Sequence, residues 1–250
     1  MLRIGFVALV TALFSVPNGI QADDANPKEI VEQGIKALGG EEKLTKAAAF
    51  QWKVDGKIKF GDNDNPFSGA STIQGIDSLR SEFESEFNGN KFKASTVVAG
   101  EKGWRRFNEM TVEIDKEGLA NEKRQIYLQI VPATLLPLKT KDFQVAMGKT
   151  ERVAGKEATG LKVTGPDGKE FQLYFDKESH LPVRQVADVR GFMGEEFTQE
   201  TTFEKYKAFE GIQKATHIEN KRDGQAFLVL DVTEFKVLPK VEPETFAEPK

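Results

Sequence analysis

The chain contains no cysteine, which excludes disulfides, a thiolate nucleophile and a thiolate metal site. Histidine is nearly absent as well. His180 and His217 are the only two, and neither sits in an HExxH, paired-His or Ser-His-Asp spacing. GxSxG, a phosphate-binding glycine loop and a zinc framework are missing too, so no enzyme and no cofactor are implied. One catalytic reading stays open, because two carboxylates can meet in a fold without leaving a linear signature. Positive charge is not in excess either. The 35 Lys and Arg stand against 39 Asp and Glu, a net charge of −4, which removes the basic footprint of a nucleic-acid binder.

Long apolar runs are scarce. The one that stands out, Ile4 to Val16, is too short to cross ~30 Å of hydrocarbon at ~1.5 Å per helical residue. It follows Met1-Leu2-Arg3 and is broken by Pro17-Asn18-Gly19. Ile20-Gln21-Ala22 then ends in a small residue before Asp23-Asp24. This is the plan of a cleavable secretory signal over residues 1–22, and it implies a periplasmic protein cut near Ala22. An uncleaved anchor is the alternative, and the length argues against it. No cysteine follows the run to carry a lipid.

What is present is strand texture. Lys169 to Gly191 is the clearest hairpin: Phe171, Leu173 and Phe175 alternate with Glu170, Gln172 and Tyr174. A polar turn, Asp176 to His180, leads into Leu181-Pro182-Val183, where a proline near the strand start is tolerated. Trp52, Val54, Ile58 and Phe60 share one parity, and Lys53, Asp55, Lys57 and Lys59 the other. Asn88-Gly89 is a hairpin turn between Leu79–Phe87 and the run through Phe92 and Val98. Two helices interrupt the pattern. Asn26-Pro27-Lys28-Glu29 starts the first, Ile30, Val31, Ile35 and Leu38 form its stripe, and Gly39-Gly40 ends it. Leu119, Ile126, Tyr127, Ile130 and Val131 recur at helical spacing, with Pro132 and Pro137 read as bounds. About eleven strands are expected, in one domain over 23–238, with an extended tail over 239–250.

Several of these features occur together elsewhere. The first helix ends in Ala37-Leu38-Gly39-Gly40 with Leu44 beyond it. Tyr174-Phe175-Asp176 is followed by Leu181-Pro182-Val183, then by Tyr206 and Gly211-Ile212, and the chain closes on Thr245-Phe246-Ala247-Glu248-Pro249. This arrangement resembles the broad family of outer-membrane lipoprotein-sorting proteins and their relatives, the LolA-like fold. The resemblance implies a mainly β, α+β chain: a curved, unclosed antiparallel barrel with helices across its open side and an apolar cavity between them. It also implies a lipid or lipoprotein acyl chain as partner, or an envelope protein held as by a stress sensor, with the chain acting as a monomer. The insert near 115–140 is longer than in the dedicated carriers, and none of their functional residues is carried over.

Candidate sites follow. Trp52, Ile58, Phe60, Phe83, Phe87, Phe92, Phe171, Leu173 and Phe175 either line a ligand cavity or fill an ordinary sheet core. Leu135, Leu136 and Leu138 either form a lid or pack on the barrel rim. Glu82, Glu84 and Glu86 alternate on a strand with Arg80 beside them and read as a solvated face rather than a cation site. In Trp104-Arg105-Arg106-Phe107 the arginines point opposite ways along a strand, so rim packing is preferred over a lipid-phosphate cluster.

Overall fold

A computed structural model describes residues 26–250, apart from 62, 88, 192 and 193 and the side chains of Phe60 and Phe87. The segment read as a secretory signal lies outside the described residues. Helices α1 (Pro27–Leu38) and α2 (Glu41–Lys46) come first. Six strands follow: β1 (Ala49–Phe60), β2 (Asn63–Gln74), β3 (Ser78–Phe87), β4 (Asn90–Ala99), β5 (Lys102–Phe107) and β6 (Met110–Glu113). Helix α3 (Lys116–Thr134) and a 3-10 turn (Leu136–Lys139) lead to β7 (Gln144–Val153), β8 (Lys156–Thr164), β9 (Glu170–Asp176) and β10 (Pro182–Arg190). The last strands are β11 (Glu196–Phe209), β12 (Ile212–Arg222) and β13 (Gln225–Leu238).

All thirteen strands form one antiparallel sheet in the order β6-β5-β4-β3-β2-β1-β13-β12-β11-β10-β9-β8-β7. Every neighbour is also a sequence neighbour except one. β1 pairs with β13, from Ala49 opposite Leu238 to Ile58 opposite Leu228, and joins two meanders into one surface. The sheet is not closed: β6 and β7 are its free edges, and the chain between them is α3. The helix therefore crosses the open side because its two ends are tied to opposite edges. The strand count exceeds the expected eleven, and the short strands β5 and β6, read in the sequence, both join the ladder. Their pairing, Trp104 opposite Glu113 through Phe107 opposite Met110, is made by backbone groups and needs no apolar alternation.

Local chemistry accounts for the helix ends. Asn26 accepts a hydrogen bond from the Lys28 amide at 3.0 Å, Pro27 occupies the first turn, and Gly39 takes φ +133° just past the last residue. Asp115 accepts from the Gly118 amide at 2.7 Å and starts α3. Pro132, expected as a boundary, lies inside α3. Near the end of the helix it forfeits only its own bond to the Leu128 carbonyl, and the helix runs on to Thr134. Leu135, at φ +58°, then closes it by donating its amide N–H to the Val131 carbonyl.

One buried cluster holds α3 down. Arg124 is 2 % exposed. Its guanidinium donates to the Asp188 carbonyl at 2.9 Å, the Glu170 carbonyl at 3.1 Å, the Asp167 carboxylate at 3.1 Å and the Tyr127 hydroxyl. Tyr127 donates in turn to Asp167 at 2.9 Å, and burial pushes its phenol well above the ordinary range. Glu122 pairs with Arg105 of β5, and Asn121 donates to the Arg190 carbonyl of β10, so the N-terminal half of α3 is fastened to both sides of the opening.

The β9–β10 hairpin forms as its alternation predicts, with Phe171, Leu173 and Phe175 buried. Tyr174, expected outward, is buried too, because Arg184 and Glu151 cover it on that side, and Asp176, read as the start of the polar turn, is also buried. Asp176 organises the turn. It accepts from the Ser179 amide and hydroxyl, both at 2.7 Å, and from the Glu178 amide at 3.2 Å, while His180 takes φ +59°. The tail, expected to be extended, contains a 3-10 turn over Pro243–Phe246 that packs against β3 and β4, and Thr111 donates to the Pro249 carbonyl at 3.3 Å.

Two outcomes are expected. Arg124→Ala removes four donated bonds and strands the Asp167 side of the cluster, so urea unfolding should show a loss of about 3 kcal/mol. Burial alone would push the Asp176 carboxyl up, but the Ser179 bonds and Lys156 charge outweigh it and hold the pKa below its ordinary value. Its stabilisation is then fully present above the unfolded pKa near 3.9 and is lost as pH falls through the lower folded value. Asp176→Asn should be less stable than the parent at neutral pH by about 1–2 kcal/mol, with the difference shrinking below pH ~4 in a pH series of thermal melts.

Candidate functional site

On the concave side a cleft of about 350 Å³ lies between the sheet and α3. Its floor straddles the β1–β13 seam: Trp52 and Val54 from β1, Phe67 and Phe83 from β2 and β3, Ile218 from β12, and Leu228, Leu230 and Val232 from β13. Phe203 and Tyr206 of β11 extend it. Tyr206 is fixed by donating to the Pro182 carbonyl at 2.7 Å. The roof is the C-terminal half of α3, through Gln125, Leu128, Gln129, Pro132 and Ala133. Its volume falls at the lower end of the range for small-molecule pockets.

The lining is not uniformly apolar. Register places Gln185, Thr201 and Asn220 side by side across β10, β11 and β12. Gln185 is 3 % exposed, and neither its Nε2 nor the Oδ1 of Asn220 has a hydrogen-bond partner. One row further, the Arg222 guanidinium lies 4.0 Å from the Phe197 ring centre and 3.4 Å from that of Phe227, with its Nε unpartnered. Toward the other end of β12 stands Lys214, 8 % exposed. Its Nζ lies 4.3 Å from the Trp52 ring centre and 5.8 Å from that of Phe235. Among the described residues no carboxylate pairs with it, and burial draws its pKa from the ordinary 10.5 down to about 8.

The residues singled out in the sequence divide by position. Trp52 and Phe83 line the cleft. Ile58 and Phe92 lie beside it: Ile58 is partly buried opposite Leu228, and Phe92 is 6.3 Å from both Phe83 and Phe107 in a run of rings across β3, β4 and β5. Phe171, Leu173 and Phe175 are in the closed core under the helices, with Phe171 6.0 Å from Tyr127. Phe60 and Phe87 fall outside the described side chains. Leu135 and Leu138 are buried and Leu136 half-buried. A Cβ added at Gly34 of α1 would meet Leu135 at 2.5 Å and Phe175 at 3.0 Å, so this segment wedges between helix and sheet. Glu82 and Glu84 pair with Arg80 and Lys93, Arg105 pairs with Glu122, and His217 bonds to Asp231 at 2.8 Å. No group of three potential metal ligands occurs among the described residues.

Lys214, Gln185, Asn220 and Arg222 carry no linear signal. They sit in strands as ordinary polar residues, and only the sheet's curvature turns them inward.

Lys214 sets a pH test. A folded pKa near 8 against 10.5 unfolded means that the unfolded chain binds the extra proton between those values, so stability rises with pH across that window. Below pH 8 the charged, buried amine costs up to about 3 kcal/mol. Lys214→Met should therefore be more stable than the parent at pH 7, by about 1–3 kcal/mol in urea titrations, and the advantage should fade by pH ~10.

No protein-family profile matches the chain, and no curated protein matches it at the level of sequence. Solved structures do. A LolA superfamily protein from Nitrosomonas europaea is 13 % identical, with a TM-score of 0.57 over 90 % of this chain and 98 % of the other. A DUF1329 family protein from Desulfovibrio piger is 13 % identical at 0.55, over 89 % of this chain and 98 % of its own. An outer membrane lipoprotein-sorting protein domain from Vibrio parahaemolyticus is 11 % identical at 0.52, over 86 % and 97 %. At such identities the likeness is one of fold, and it bears out the open LolA-like sheet that the sequence suggests.

Proposed function

We propose that this chain is an exported, periplasmic binding protein that takes an acyl chain of a lipid or lipoprotein into the cleft beneath α3 and releases it without covalent chemistry. The observation that carries the reading is the cleft itself. It stays open between α3 and the sheet, lined by the half-buried Phe83, Ile218, Leu228 and Leu230 and floored by Trp52, Val54, Phe67 and Phe203 of the core. Each CH₂ transferred onto it would contribute about 0.8 kcal/mol. The fold likeness to a lipoprotein-sorting domain agrees with this use. Within the reading, Trp52 and Phe83 contact the ligand directly, while Ile58 and Phe92 support the same face. The core residues Phe171, Leu173 and Phe175 back the roof. Leu135, Leu136 and Leu138 end the roof helix, so widening the cleft requires them to shift against α1. With the N-terminal half of α3 fastened by Arg124, the half that moves is the one over the ligand.

A second reading has one observation of its own. Among the described residues the exposed large apolar side chains, Met110, Val112 and Met147, lie on the free edge strands β6 and β7. They would suit an envelope protein partner docked along the opening.

The test is native mass spectrometry of the protein purified from the periplasm, before and after solvent extraction. The expected result is a mature chain starting near Asp23 with a bound lipid mass that extraction removes. Ala133→Phe, which fills the roof side, should reduce the bound fraction about tenfold while leaving the fold intact by circular dichroism. A clean apo mass, unchanged when acylated peptides and phospholipids are offered, would rule the carrier out and turn attention to crosslinking at the edges.

A further inference from the structure

Two buried cations occupy the concave side of this molecule, and they are treated oppositely. Arg124 has acceptors for its guanidinium on every side. Lys214, at 8 % exposure, has only ring faces: Trp52 at 4.3 Å and Phe235 at 5.8 Å. Aromatic faces attract an ammonium, but they do not offer its three N–H groups the strong acceptors that a carboxylate or phosphate would. A buried charge is ordinarily paired or absent. This one is unpaired among the described residues, and it lines the cleft.

A second observation points the same way. Gln185, 3 % exposed on the same cleft wall, has an Nε2 without any acceptor. Buried polar groups in native structures are satisfied as a rule, and this wall leaves both an amide donor, Gln185 Nε2, and an amide acceptor, Asn220 Oδ1, without a partner, so it has hydrogen-bonding capacity open to a polar head. Between Lys214 and Asn220, along β12, lie about six residues, or ~20 Å of strand, floored by Phe203, Ile218 and Leu230. The floor suits an alkyl chain, and the ammonium at one end of it suits an anionic head.

Resting on the lipid-cleft reading above, we infer that the ligand is an acidic amphiphile whose carboxylate or phosphate oxygens pair with Lys214 while its alkyl chain lies over the Phe203–Ile218–Leu230 floor. The anion completes the ammonium's hydrogen bonds, and the ion pair forms where water is largely excluded and the interaction is strong. An uncharged amphiphile of equal length gains the same apolar contacts but leaves the ammonium unpaired. A cationic one adds repulsion. The head therefore sets specificity and the floor supplies most of the affinity.

The test uses the mature chain, stripped of lipid, and four probes with one alkyl chain kept below micelle formation: dodecanoate, dodecyl phosphate, dodecanol and dodecyltrimethylammonium. Affinities come from isothermal calorimetry. A parallel titration follows ¹³C-methylated lysines by NMR, with Lys214 assigned by its loss in Lys214→Met. Both acids should bind at least about tenfold tighter than dodecanol, and the ammonium probe weakest. Dodecanoate outbinding the phosphate would name a fatty acid as the class, and the reverse a phospholipid-type head. Lys214→Met should lose the preference and bind the acids no tighter than dodecanol, with its fold unchanged by circular dichroism. The Lys214 resonance should move with the acids and not with dodecanol. Equal binding of dodecanoate and dodecanol by the parent, or an acid preference that survives Lys214→Met, would overturn the head assignment and leave the lipid cleft standing. Binding of none of the four would remove both.

Discussion

The pairing of β1 with β13 is the constraint on which the rest of the molecule depends. It is the one strand pairing made between segments distant in sequence, and it lies at the middle of the sheet. Each meander alone would be a flat-edged ribbon of hairpins. Joined at the seam, they make a surface wide enough to curve, and the cleft floor is laid across the join. Trp52 sits opposite Phe235, and Val54 opposite Val232. A register shift between Lys53 and Val54 falls at the same place. Such bulges sharpen local twist, which helps turn this part of the sheet toward α3.

The second organising fact is the contrast between buried polar groups that are satisfied and those that are not. Arg124, Tyr127 and Asp167 form a closed set that fixes a helix to a sheet. Asp176 closes a turn in the same manner. These networks hold the framework. Gln185 Nε2 and Asn220 Oδ1 have no partner and Lys214 has no counter-ion among the described residues, and all three line the cleft beneath α3.

Much of the architecture was legible in the sequence because strand parity is a local signal. The alternation of Phe171, Leu173 and Phe175, the Asn26-Pro27 helix start and the Asp176–His180 turn each report their own geometry within a few residues. What parity could not show is which stretch of the inward face the helices would cover. Trp52 and Phe171 read alike, yet one lines an opening and the other lies in the closed core, since that division depends on where α3 crosses. Pro132 misled for a related reason: a proline near the end of a helix removes a single bond, and packing on the sheet carries the helix past it. Lys214 was invisible because lysine in a strand reads as solvent-facing until curvature encloses it.

The open sheet also has to live with two unpaired edges. β6 is four residues long, which leaves little for another strand to grip. β7 is longer, but its pairing with β8 shifts register between Met147 and Thr150, beside Gly148, and Lys149, Glu151 and Arg152 crowd the same stretch. Short length, a kink and charge are the features that keep natural sheets from adding neighbours edge to edge. Under the proposed reading, a sheet left unclosed to admit a guest thereby offers a second copy of the chain little to pair with along these two strands.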